Sequence, residues 1–210
     1  MPGLVPGIHV FPGADKTRMA GTWASEATPF FERLCLAMTA EDSAMIDKAY
    51  AQRMARYNRW QNENLYGVAD RLSEDERRRE RGAFFGSIHK TLSHILWGDQ
   101  IWMHRLAATP KPDGGIKESV RLVADWEALK SSRTSFDRTI LDWAENLEPS
   151  WLDTEQTYHS MATGRDITRP RWVLVTHMFN HQTHHRGQVH CMLTQAGGRP
   201  HDTDLPVMPD

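Results

Sequence analysis

Five of the eleven histidines in this 210-residue chain fall in one run, His177-Met-Phe-Asn-His181-Gln-Thr-His184-His185-Arg-Gly-Gln188-Val-His190. Residues four apart on an α-helix are separated by roughly 40° around the axis and about 6 Å along it. If the run is helical, His177, His181 and His185 form one stripe, His184 and Gln188 lie near the same sector, and His190 falls almost opposite. Two imidazoles at i, i+4 can reach one ion without distorting the helix, so His181 and His185 are a ready-made pair of metal ligands. The competing reading is a solvated histidine face. Leu174, Met178, Met192 and Ala196 border the stripe, however, so several rings must face a core or its edge. There an unpaired ring nitrogen costs roughly 1–3 kcal/mol, and metal coordination removes that cost.

Two histidines on one helix leave most of a coordination sphere open, so a third ligand should come from another helix. His94 sits in the most apolar part of a second helical stretch, Leu92-Ser-His94-Ile-Leu-Trp97, whereas His89 and His104 occupy other sectors. A lone histidine in an apolar stripe is more often a satisfied core residue; opposite an HxxxH pair, His94 becomes the candidate third ligand. Three neutral imidazoles leave a divalent ion its full charge and an open position, as in catalytic rather than structural sites. Imidazole nitrogen suits zinc, nickel, copper and ferrous iron alike, so the donor set does not name the ion.

The elements that must carry these residues are helical. Apolar residues recur at three and four over 43–72, 87–108, 119–147 and 171–196, with Asp42 or Ser43 available to cap the first stretch. Pro110, Pro112, Gly114 and Gly115 end the second, and Gly197 and Gly198 end the last. A short charged segment, 73–81, reads as a solvated helical turn. Residues 149–171 read as an irregular connection with room for a short hairpin, and the proline-bearing tail as extended. The expectation is an all-α fold: a four-helix bundle over 43–210 with a long connection before its last helix. Residues 1–42 show no sustained period and read as a poorly ordered extension, or as a start assigned too far upstream.

With 25 basic and 27 acidic side chains the net charge is −2, which argues against nucleic acid as a partner. No apolar run approaches the roughly 18 residues of a membrane span, and no secretory signal is visible, so the expected location is cytoplasmic. Cys35 and Cys191 allow at most one disulfide. Cys191 reads as buried packing rather than as a nucleophile.

Three separated phrases carry a resemblance: Tyr57-Asn58-Arg59-Trp60-Gln61-Asn62, Gly86-Ser-Ile-His89-Lys-Thr-Leu-Ser-His94-Ile-Leu-Trp-Gly-Asp99, and the run from His177 to Gln188. In this order, and with the closing Thr203-Asp-Leu-Pro206, they resemble the DinB family of bacterial damage-inducible and YfiT-like proteins over about residues 45–208. The resemblance implies a four-helix bundle that binds one divalent ion (zinc, nickel or iron) through His94, His181 and His185. It also implies a homodimer, and relatives that are thiol-dependent S-transferases or isomerases. On that footing a low-molecular-weight thiol and an electrophile are the expected partners. Asn58 and Tyr57 could face the site, and Asp99 or Gln188 could hold a ligand or water beside it. Arg186 could attract a thiol's carboxylate, although a surface ion pair is its simpler reading. Trp60 and Trp97 could line a pocket. The rival reading is a metal-binding stress-response or structural bundle without turnover.

Overall fold

A computed structural model describes residues 44–209 of the chain. The segment 1–42, Cys35 and the expected caps Asp42 and Ser43 lie outside the described residues. Helix α1, Lys48–Ala69, begins where the Asp47 carboxylate accepts the Tyr50 N–H at 2.7 Å. The short α2, Glu74–Arg78, is capped by Ser73 and has acids in its first turn and arginines in its last, as the helix dipole favours. Ser87 caps α3, Ile88–Ala107, which stops when Ala108 turns left-handed at φ 54°, two residues before Pro110.

The third long helix does not start at Ser119. Ser119–Arg121 forms a single 3-10 turn, and α4, Trp126–Glu145, begins only after Asp125, whose carboxylate accepts the Ala128 N–H at 2.8 Å. The better N-cap wins the boundary. Residues 149–171 hold a two-stranded antiparallel sheet. Strand β1, Glu155–Ser160, pairs with β2, Arg165–Pro170, from Glu155 opposite Pro170 to Ser160 opposite Arg165. The fold is therefore mostly helical with a small sheet. Helix α5, Arg171–Gln195, continues directly from β2, and the Arg171 N–H donates to the Thr154 carbonyl at 2.8 Å.

Helix α1 packs on α4 and α5, and α3 packs on α4 and α5, so each long helix touches two others. Their apolar side chains form two clusters. One includes Trp102, Met103, Ile140 and Phe179; the other includes Leu65, Ile88, Leu92 and Val189. On α1, α4 and α5, buried polar residues fall in sequence between the residues of these clusters, Asn58 and Asn62, Arg133 and Asp137, Gln182 and Arg186, and on α3 Asp99 follows closely on the change from one cluster to the other at Leu96 and Trp97.

The tail is strapped to α1. Tyr57 Oη donates to the Thr203 carbonyl at 2.6 Å, Gln61 to Asp202 at 3.0 Å and Asn64 to His201 at 3.2 Å. It closes with a 3-10 turn, Leu205–Val207, in place of a wholly extended end. Among the described residues no helix is long and apolar enough to cross a membrane.

Candidate metal centre

His94 is on α3 and His181 and His185 are one turn apart on α5, so the pairing of these two helices brings all three together. One ring nitrogen from each lies within 4.8 Å of the others. The His94 and His181 Nε2 atoms are 3.3 Å apart. Two nitrogens each about 2.0–2.1 Å from one tetrahedral ion stand roughly 3.4 Å apart, so this separation fits a shared ion.

The hydrogen bonds around the rings fix which nitrogens are free. The Ser119 hydroxyl spends its proton on the Ile116 carbonyl at 2.6 Å, so its oxygen must accept from His94 Nδ1 at 2.7 Å. That leaves the His94 Nε2 lone pair aimed at the centre. The Gln188 carbonyl oxygen likewise accepts from His185 Nδ1 at 3.0 Å and frees His185 Nε2, while its amide donates to His184 Nε2 at 3.2 Å. Burial, with the neighbouring His185 ring adding to it, pushes His94 down to about 3. His181 is also pushed down to about 3, by burial first and then by the His185 and His94 rings. Burial lowers His185 as well, against the pull of Gln188. All three rings are thus neutral near pH 7 and present lone pairs. His181 Nδ1 is buried and without a partner, so nothing there opposes the tautomer that carries the proton on Nδ1 and turns the Nε2 lone pair toward a point shared with His94 Nε2, 3.3 Å away. The donor set fits a metal ion.

Packing holds the rings in place. The Phe85 ring lies 3.9 Å from that of His94 and 5.3 Å from that of His185, closing one side. His181 lies against the backbone of α3 at Gly98, where a Cβ would stand 2.7 Å from His181 Cε1 and 3.2 Å from Nδ1. Gly98→Ala should therefore separate two properties. Helix propensity alone favours the variant by up to about 1 kcal/mol, whereas metal affinity falls because the ring must swing away. Thermal melts with and without added metal read both. Ser119→Ala should weaken metal binding about 10–100-fold, as losses of ligand-orienting partners do, with little change in helical content. Competition against a chromogenic chelator measures it.

The other sequence candidates separate into those near the centre and those away from it. Gln188 contacts His185 directly. Asn58 and Tyr57 do not reach the histidines: Asn58 Nδ2 donates to Asp137 at 2.9 Å, and Tyr57 Oη holds the tail. Arg186 is no surface ion pair. It is 5% exposed, beneath the Tyr57 ring, and donates to the Asn58 side chain. Burial holds its guanidinium down to about 10, below the arginine range. Asp99 bonds Arg133 and Gln182 rather than a histidine. Cys191 is exposed, contrary to the expected packing role, because it points away from the α5 face that meets α1 and α3.

A cleft of about 280 Å³ opens beside His94 and His181, walled by Trp97, Trp102, Tyr158 and His177, with Arg105 within it. Trp97 is a wall as the sequence suggested; Trp60 packs edge-on against Tyr57 instead, 5.9 Å between centroids. Sequence reasoning missed Ser119, Phe85, Gly98 and Arg105. Only Gly98 gave a signal, being a glycine inside a helical period, which marks a close approach.

Comparison with known proteins bears on the whole domain. The family profile described as "DinB family" matches residues 45–210. The chain is 24% identical over 170 residues to Protein DinB of Bacillus subtilis (strain 168), covering 74% of this chain and 91% of that one. A crystal structure of a DinB-like protein from Bacillus cereus ATCC 10987 superposes with a TM-score of 0.51 at 17% identity, covering 68% of this chain and 90% of the other, which speaks to the fold alone.

Proposed function

The chain belongs to the DinB family, and from that premise we propose that it holds one divalent metal ion through His94, His181 and His185. We propose further that it uses the ion to transfer or rearrange a low-molecular-weight thiol on an electrophile. The carrying observation is the convergence of three neutral imidazoles, one open side of which faces an aromatic cleft rather than protein core. On this reading α1, α3, α4 and α5 form a four-helix bundle, and the ion is zinc, nickel or ferrous iron.

When bound by three neutral ligands, such an ion supplies Lewis-acid stabilisation of a thiolate or of bound water. The residues of the chain do the rest. Ser119 and Gln188 hold the His94 and His185 rings with Nε2 inward. Phe85 excludes water on one side, leaving approach from the cleft. Neither cysteine is required as a nucleophile.

The test is conjugation of 1-chloro-2,4-dinitrobenzene with glutathione, bacillithiol and mycothiol by the metal-loaded protein. The expected result is turnover with at least one thiol, lost on chelation and in His181→Ala. Stoichiometric metal with no turnover for any thiol would move the assignment to a non-catalytic metal-binding protein.

A further inference from the structure

The cleft has a second chemical feature, at the end away from the histidines. Trp97, Gly98, Ile101, Trp102 and Arg105 recur on α3 at helical spacing and present one face to it. The Arg105 guanidinium lies 4.6 Å from the Trp102 ring centroid and 4.5 Å from that of Tyr158. The two rings meet edge to face at 5.3 Å, so the cation is held between a helix and the β1 strand. Its polar contact is a long one, Nη2 to the His159 carbonyl at 3.4 Å, and among the described residues no carboxylate lies within 4.0 Å of it. A guanidinium stacked on aromatic rings, half-buried and without a counter-ion is a prepared anion receptor. Burial already pulls its pKa below the ordinary arginine value, and an incoming anion would reverse that penalty. Ile116 and Met161, 38% and 40% exposed, place apolar surface at the same cleft.

We propose that this cleft binds a carboxylate ligand with a flat apolar body, its carboxylate on Arg105 and its body against Trp97 and Trp102, reaching toward the histidines. The length follows from the helix. His181 sits against Gly98, and Arg105 is seven residues further, about 10 Å along the axis. An anion of two or three carbons cannot span that distance; an aryl-substituted unsaturated acid can. The proposal rests on the reading above in taking the cleft as the substrate side of the metal centre, and it makes Arg105 the residue that selects the electrophile by charge.

The probe is trans-cinnamate, with cinnamide as its neutral isostere, titrated calorimetrically into the full-length protein, metal-free and zinc-loaded. The expected result is cinnamate binding at least about tenfold tighter than cinnamide in both forms, and within about twofold of it in Arg105→Met. Equal binding of acid and amide by the metal-free wild type overturns the proposal, whether or not the variant folds. So does a preference that vanishes with the metal and survives Arg105→Met, because the ion would then be the anchor. The two readings fail separately. Thiol conjugation without a charge preference removes the carboxylate site and leaves the transferase; a charge preference without conjugation does the reverse.

Discussion

His181→Ala is expected to strip the protein of its metal while leaving the apo fold intact. The His181 ring supplies one of three nitrogens within 4.8 Å of one another, and among the described residues no fourth imidazole joins that group. His177, one turn back on α5, packs edge-on against Trp102 with centroids 4.8 Å apart and faces the cleft. Loss of a partner that merely orients a ligand costs about 10–100-fold in affinity, so loss of the ligand itself should exceed 100-fold. Metal at a hundred times its dissociation constant stabilises the wild type by about 2.7 kcal/mol, a rise in Tm of roughly 5–10 °C for a domain of this size. The variant should show no rise. Its apo stability should change little, because the ring is only half-buried and its Nδ1 has no partner to lose. Metal content by mass spectrometry and melts with and without metal check both parts; unchanged metal content sinks the ligand assignment.

Arg133→Met should produce the largest loss of stability. Arg133 Nη1 donates to Asp99 at 2.6 Å and Nη2 stands 2.8 Å from Asp137, with all three side chains at most 4% exposed. Burial works against the Arg133 charge, and the Asp137 and Asp99 carboxylates more than restore it, raising its pKa above the ordinary value. Burial likewise raises the Asp99 carboxyl, against the pull of Arg133 and Gln182. Removing the cation paired directly with both leaves two carboxylates in the core without a contacting counter-ion, which costs about 3–5 kcal/mol, a large share of the 5–15 kcal/mol typical of a folded domain. Urea unfolding should show a lower midpoint at an unchanged slope. A loss under about 1 kcal/mol would mean that water reaches these groups. The same change should loosen the metal centre: Asp99 follows Gly98, Gln182 follows His181, and the 2.9 Å bond between Gln182 and Asp99 ties α3 to α5 at that level.

Much of this was legible in one dimension. Proline and glycine punctuation located the ends of α3 and α5, and the i, i+4 spacing of His181 and His185 placed two nitrogens on one side of a helix. Helix starts were harder. Asp125 and Ser119 are both good caps, and only the packed chain shows Ser119 drawn out of the helix to hold His94. The strands were obscured because Thr-rich arms around Thr163-Gly164 are exposed and lack the apolar alternation that marks a strand.

The buried polar layer shows the limit most clearly. Asn58, Asp99, Arg133, Asp137 and Arg186 each look like surface or site residues when read singly, since a charged side chain in a helical period usually faces water. Their burial depends on all five meeting across four helices, and a pairing between positions 99 and 133 leaves no mark at either position alone. Helical period, chain punctuation and the histidine spacing are local, so the sequence by itself determined the long helices and the residue types of the histidine cluster. The roles of Ser119, Gly98 and Arg105, and the inward turn of Arg186, depend on which helix stands opposite, and only the tertiary packing decides that.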